Sequence, residues 1–160
     1  MLIETQDAAL LHHIMQQAFA EYRHDASPSS ALDESIDSIK LELHNGMRAF
    51  VWQHQQQTVA MVKTQWRQDV LYFARLAVLP SFRGQGHVKH LLAALAKLAL
   101  THGYTAMECK VRAEVSRNVA LYQGLGFVCV ASETVHKENG TAVPTLTMRK
   151  ALRESMNNPF

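Results

Sequence analysis

Cysteine is scarce in this 160-residue chain: Cys109 and Cys129 are the pair present. Both lie in apolar, strand-like stretches, which reads as two reduced packing residues and not as a disulfide framework. Charge of one sign is lacking too. Sixteen Lys and Arg stand against 14 Asp and Glu, a net charge of +2 with no basic run. That gives no electrostatic case for a nucleic-acid or anionic membrane partner. Aromatic residues are 8 % and charged residues 19 %, the profile of neither a disordered chain nor a coiled coil. Long apolar runs are missing, since the longest is the six residues Leu91 to Ala96 against about 20 for a membrane span. The start, Met1-Leu2-Ile3-Glu4, has neither the basic opening nor the apolar run of a secretory signal. What is present is a 48 % apolar share, enough for one sizeable core. A single soluble, cytoplasmic domain over 1–160 is the expectation.

Periodicity supplies the elements. Apolar residues at 10, 11, 14, 15, 18, 19 and 22 predict a helix over Asp7 to Tyr22, capped by Asp7. Ser30-x-x-Asp33 resembles a capping box that opens a second helix, which runs to about His44 and ends at Asn45-Gly46. Met47 to Gln53 and Thr58 to Trp66 read as a hairpin around a glutamine-rich tip. Val70 to Leu79 is nearly all apolar, a strand expected to be covered on both faces and stopped by Pro80. Val88 to Leu100 is amphipathic, with Lys89, His90 and Lys97 turned outward. A strand over Thr105 to Val111 and a short helix over Ser116 to Leu125 follow, the helix ended by Gly126. Phe127 to His136 and Thr145 to Arg149 close the chain as a hairpin. With Met1 to Glu4 as a short strand, the class is mixed α/β.

The chemistry concentrates in Leu76-Ala77-Val78-Leu79-Pro80-Ser81-Phe82-Arg83-Gly84-Gln85-Gly86-His87-Val88. A strand runs into a glycine-containing loop and then a helix start. The first helical N–H groups lack intrahelical partners and, with the helix dipole, favour an anion. Gly84 and Gly86 allow the main chain to approach that anion closely. The G-x-G-x-x-G fingerprint is not met, because Lys89 stands at the third glycine. The P-loop is not met, because no Gly-Lys-Ser/Thr follows. Two glycines after a strand can also be a tight turn and nothing more. His87-x-x-His90 has a spacing that could suit a metal, but no third ligand accompanies it and a solvated face is the simpler reading, so no metal is expected.

This stretch resembles the acyl-CoA-binding motif of the GNAT superfamily of N-acetyltransferases. The family pattern is Arg or Gln, two residues, Gly, one residue, Gly or Ala; here it is Arg83-Gly84-Gln85-Gly86-His87-Val88, with Val88 at the final small position. A second element, Asn118-Val119-Ala120-Leu121-Tyr122-Gln123-Gly124-Leu125-Gly126-Phe127, is similar to the family's Asn-x-Ala-x-Tyr and Gly-Phe region. The resemblance covers the whole chain in element order and residues 75–127 in detail. It implies a GNAT-like fold: a mostly antiparallel twisted sheet of six or seven strands, about four flanking helices, and a splayed parallel pair at the centre. Residues 1–66 would form the acceptor side, 70–127 the acetyl-CoA core and 127–150 the terminal hairpin.

The resemblance also implies roles. Amides of Arg83, Gly84, Gln85, Gly86, His87 and Val88 hold the CoA diphosphate, while the main chain of Leu76, Ala77 and Val78 pairs with the pantetheine arm. Arg83 lies near phosphates, or caps the loop with its side chain in solvent. Asn118 contacts pantetheine or caps its helix. Tyr122 matches the family's general acid. Acetyl-CoA is then the co-substrate, the partner is a small-molecule or peptide amine, and a homodimer is allowed.

Acyl transfer needs a neutral amine. Deprotonating a lysine-type amine at pH 7 costs about 4.6 kcal/mol and an α-amino group about 1 kcal/mol. A base therefore matters more for alkylamines. By the resemblance a glutamate in the first half of the central strand can serve as base; Val70 to Ala74 offers no carboxylate, and Glu108, mid-strand in Thr105 to Val111, is the best-placed substitute. Glu108 can equally pair with Arg75, a charge inside the central strand that is costly unpaired; Arg75 can instead bind an acidic part of the acceptor. Glu21, Asp25 and His44 come from the acceptor side and are not separable by spacing, and Asp33-Glu34 with Asp37 read as a solvated helix face. The leading expectation is an N-acetyltransferase that moves the acetyl group directly between bound substrates. The alternatives are a non-catalytic acyl-CoA-binding module and a phosphate-loop protein for another nucleotide.

Overall fold

The structure is a computed structural model that describes residues 1–22 and 30–153. The hydrogen-bonded strand order is β1-β2-β3-β4-β5-β7-β6. The strands are β1 (Leu2–Thr5), β2 (Arg48–His54), β3 (Gln57–Arg67), β4 (Val70–Val78), β5 (Ala106–Arg112), β6 (Val128–His136) and β7 (Ala142–Ala151). The helices are α1 (Ala8–Ala18), α2 (Ile36–His44), α3 (His87–Thr101) and α4 (Ser116–Gly124). The chain divides into two compact units: Met1–Gln65 with Phe73–Leu95, and Trp66–Tyr72 with Ala96–Phe160. The class is the expected mixed α/β, with seven strands and four α-helices among the described residues.

The first unit is built on β1, β2 and β3. β1 pairs antiparallel with β2 from Leu2↔Trp52 to Thr5↔Ala49. The β2–β3 turn is Gln55-Gln56, both left-handed at φ 51 and 66, the geometry that closes two-residue hairpins. A buried apolar stripe on α1 (Leu11, Ile14, Met15) packs with Ile39 of α2 and with Ala49, Val51, Met61 and Ala77 of the strands. That cluster fixes β4 as it approaches the glycine loop. The Leu79 amide also donates to the Val59 carbonyl at 2.9 Å.

Three local readings change here. The first helix stops at Ala18, and Ala20–Tyr22 is a 3₁₀ turn. Asp7 does cap α1, accepting from the Leu10 amide at 3.0 Å. Ser30 opens no α-helix: Ser30–Asp33 is a 3₁₀ turn, and α2 is capped by Ser35 in a reciprocal box with Ser38. Ser38 returns the bond to Ser35 that Asp33, a residue of the 3₁₀ turn, does not supply to Ser30. β4 is not covered on both faces throughout; Leu71, Phe73 and Ala77 are buried and alternate with half-buried neighbours.

In the second unit, β4 contributes Val70, Leu71 and Tyr72 to a parallel ladder with β5, ending at Tyr72↔Glu108. β5 pairs antiparallel with β7 from Ala106↔Ala151 to Arg112↔Thr145. β6 pairs with β7 and carries a bulge at Val130, between Cys129 and Ala131. Every residue of β6 is exposed. Cys129 is therefore not a packing residue, whereas Cys109 is buried, and both are free thiols. The last strand begins at Ala142 and not at Thr145. Pro144, which supplies no N–H, still accepts from the Ala113 amide at 2.9 Å.

Candidate active site

The loop between β4 and α3 is shaped by its backbone. Pro80–Phe82 makes one 3₁₀ turn. Gly84 and Gly86 then take left-handed conformations at φ +74 and +81, which side-chain-bearing residues rarely adopt. Nothing lies within 4 Å of where a Gly84 Cβ would stand, and at Gly86 the nearest atom is His90 Cε1 at 3.8 Å. The face above both glycines is open. Among the described residues, the amides of Gly84 to Val88 donate to no other part of the chain. The arrangement is a curl of free N–H groups, exposed from Gly84 to Gly86, running into a 15-residue helix, which fits a diphosphate. Val88 is half-buried and its amide belongs to that set.

The Arg83 amide is not free, since it donates to the Pro80 carbonyl at 3.3 Å, and its side chain is not loose in solvent. Its guanidinium donates to the Ala18 carbonyl at 2.6 Å and pairs with Glu21 at 3.2 Å, so it ties the loop to the end of α1. His87 also departs from expectation. It is not on a solvated face but 5 % exposed. Its Nε2 meets Gln85 Oε1 at 3.2 Å, and its ring packs edge-on against His54 and Phe82. Nδ1 is buried without a partner. Burial, then His54, His90 and the N-terminal ammonium, hold the His87 pKa below the usual imidazole value. His90 lies on Trp52 instead. Among the described residues, no three His, Cys, Asp or Glu side chains converge as a metal site.

A charged chain that spacing did not reveal sits in the same unit. Lys63 of β3 is 5 % exposed. Its ammonium donates to Glu34 and, at 2.6 Å, to Glu42 Oε1 of α2. Glu34 also accepts from Arg75 Nε at 2.8 Å, and Arg75 Nη2 donates to Ser30 Oγ at 2.9 Å. Glu34 is thus no part of a solvated face. Burial and the neighbouring Glu34 carboxylate push the Glu42 carboxyl above its ordinary value, while Glu34 is held below by Lys63 and Arg75 against the opposing effect of burial. Arg75 itself is left-handed, φ 54, inside β4. Of these charges the sequence singled out Arg75, a charge inside the apolar central strand; Lys63, a cation in an equally apolar stretch of β3, is a comparable signal that was available.

The second unit holds the other candidates. Tyr122 on α4 is 8 % exposed and stacks edge-to-face on Phe127 at 5.5 Å. Burial, then the neighbouring Cys109, raises its hydroxyl well above the ordinary tyrosine value. Cys109 is pushed up to about 12 by burial and by Glu108. Glu108 does not pair with Arg75; it accepts from Arg149 Nη1 of β7, its register partner, at 3.2 Å. Since strand side chains alternate, Glu108 and Cys109 project from opposite faces of β5. Asn118 is no cap: α4 is preceded by Val115, which makes no side-chain capping bond, and Asn118 lies half-buried in the first turn. Among the remaining acceptor-side candidates, Glu21 is bound by Arg83, His44 is exposed in the last turn of α2, and Asp25 lies outside the described residues.

The family model for the acetyltransferase (GNAT) family matches residues 9–127. No curated protein matches the chain significantly. Among solved structures, the ribosomal-protein-S18-alanine N-acetyltransferase from Escherichia coli is 21 % identical, covering 98 % of this chain and 97 % of that one, with a TM-score of 0.74. A Salmonella typhimurium protein, solved with its cofactor acetyl-CoA, is 18 % identical over 98 % of this chain and 95 % of that one, TM-score 0.72. An N-acetyltransferase from Rhodopseudomonas palustris is 22 % identical over 95 % of each chain, TM-score 0.72. At these identities the likeness is one of fold.

Proposed function

Because the chain belongs to the GNAT acetyltransferase family, we propose that it moves the acetyl group of acetyl-CoA to a primary amine of a small molecule or peptide, directly between bound substrates. The observation that carries this reading is the loop of free amides at Gly84 to Val88, opened by two left-handed glycines. There the N–H groups and the α3 dipole face the diphosphate, and the edge of Leu76, Ala77 and Val78 receives the pantetheine arm.

In the transfer the amine nitrogen bonds to the thioester carbon as the carbon–sulfur bond breaks. The amine proton leaves to a base and the sulfur gains one. Glu108 is the proposed base, acting directly or through water, with its carboxylate oriented by the bond from Arg149 Nη1 at 3.2 Å. Tyr122 is the proposed acid. Burial keeps its hydroxyl protonated throughout the neutral range. Its pKa lies above the ~8.5 of a thiol, so it acts first as a hydrogen-bond donor to the departing sulfur, and solvent completes the protonation. Asn118, in the first turn of the same helix, is proposed to contact pantetheine.

The test is thiol release from acetyl-CoA in the presence of a panel of primary amines. Amine-dependent release is expected. Tight acetyl-CoA binding without release across the panel would point to a non-catalytic acyl-CoA-binding module. Stabilisation by ATP or NAD but not by CoA would contradict both.

A further inference from the structure

Arg75 is a non-glycine residue in a left-handed conformation within a strand, φ 54 in the interior of β4. The other such residues, Gln55, Gln56 and Gln68, lie in turns or between strands. A side chain resists this conformation, because its Cβ crowds the following carbonyl. Something must hold it. The Arg75 guanidinium is gripped by Glu34 Oε2 at 2.8 Å and Ser30 Oγ at 2.9 Å. Glu34 is in turn held by Lys63, which is buried and anchored again on Glu42 at 2.6 Å. The charges alternate, Arg75, Glu34, Lys63, Glu42, and tie β4 to β3, to α2 and to the segment before it. Lys63 and Glu34 are the shielded members, while Arg75 and Glu42 keep 30 % and 40 % of their side chains exposed, and ion pairs of either kind are weak sources of stability. The use of this charged chain is to select one conformation. The kink it selects comes immediately before Leu76, Ala77 and Val78.

We propose that Glu34 is a positioning residue that holds Arg75 in its left-handed kink and so sets the main chain of Leu76–Val78 for the donor. This rests on the proposed function for what that segment binds. Neither Glu34 nor Arg75 touches the reacting atoms in this account.

Glycine adopts the same conformation without a partner, which separates holding the kink from acting directly. Wild type, E34Q, R75G and E34Q/R75G are compared by the backbone Cα and Cβ resonances of residue 75 and by acetyl-CoA affinity, at a temperature where each is folded. E34Q should move the residue-75 resonances out of the left-handed range and weaken acetyl-CoA binding about tenfold or more, the scale on which misplacement of a bound group is felt. R75G should bind acetyl-CoA as wild type does, and E34Q/R75G should recover that affinity. Left-handed resonances retained in E34Q, or a double variant that binds as weakly as E34Q, would overturn the inference. Should E34Q not fold, a folded E34Q/R75G that binds like wild type supports it and an unfolded one overturns it. A wild-type chain that binds no acetyl-CoA contradicts the proposed function, while the residue-75 resonances still decide the role of Glu34.

Discussion

Tyr122, Gly86 and His87 carry the sharpest single-residue tests. Tyr122→Phe removes the hydroxyl and keeps the ring on Phe127. Turnover should fall about a hundredfold, the low end for loss of a proton donor, with acetyl-CoA affinity unchanged; equal turnover by thiol release would remove Tyr122 from the acid role. Gly86→Glu places a negative chain in a left-handed backbone beside the free amides, and calorimetry should detect no acetyl-CoA binding. His87 contributes to the pH dependence of stability. Its folded pKa lies below the unfolded value of about 6.5, because burial, then the neighbouring His54, His90 and N-terminus, oppose its charge. Between the two values the unfolded chain binds more protons, so stability falls as pH drops through about 6.5 toward the folded value. His87→Gln should flatten that stretch of a denaturation-midpoint profile against pH, and an unchanged slope would contradict the assignment. The left-handed turns at Gly84 and Gly86 and the place of Tyr122 on a short helix were legible in the sequence, because backbone freedom and motif spacing are local properties. The buried state of His87 was not, since it is made by His54 and Phe82, residues whose approach the spacing does not encode.

Among the elements, α1 and α4 show what local rules decide. Asp7 was readable as a cap because its bond to the Leu10 amide spans three residues; Asp7→Ala should cost about 1 kcal/mol, a loss of about 2–4 °C in melting temperature. At the end of α4, Gly126 is left-handed, φ +93, and a methyl there would meet Lys150 Nζ, which donates to the Leu125 carbonyl at 2.7 Å. Gly126→Ala should therefore cost about 1–2 kcal/mol by thermal denaturation, from backbone strain and a displaced amine. The glycine was legible and the lysine was not, because β7 brings Lys150 there from 25 residues away. Spacing alone puts the cap of α2 at Ser30 and the structure puts it at Ser35, for a related reason. Ser30-x-x-Asp33 and Ser35-x-x-Ser38 both carry a capping-box spacing, and only the second closes in both directions. What engages Ser30 instead is Arg75, 45 residues away.

For the molecule as a whole, the strand–loop–helix unit and its order among the other elements were legible, because apolar periodicity and two motifs agree on it. The charge pairing was not. Arg75 belongs to Glu34 and Glu108 to Arg149, choices made by strand neighbours and the turn before α2. Such tertiary pairings leave a sequence only with charges to match. They also decide what the central strand presents, since the kink at Arg75 lies between its paired start and the free-amide loop. The central claim is that the free amides from Gly84 to Val88 bind the diphosphate of acetyl-CoA. A cocrystal structure with acetyl-CoA tests it most directly: the account predicts the diphosphate within hydrogen-bonding distance of the Gly84 to Val88 amides, and a diphosphate bound elsewhere would contradict it.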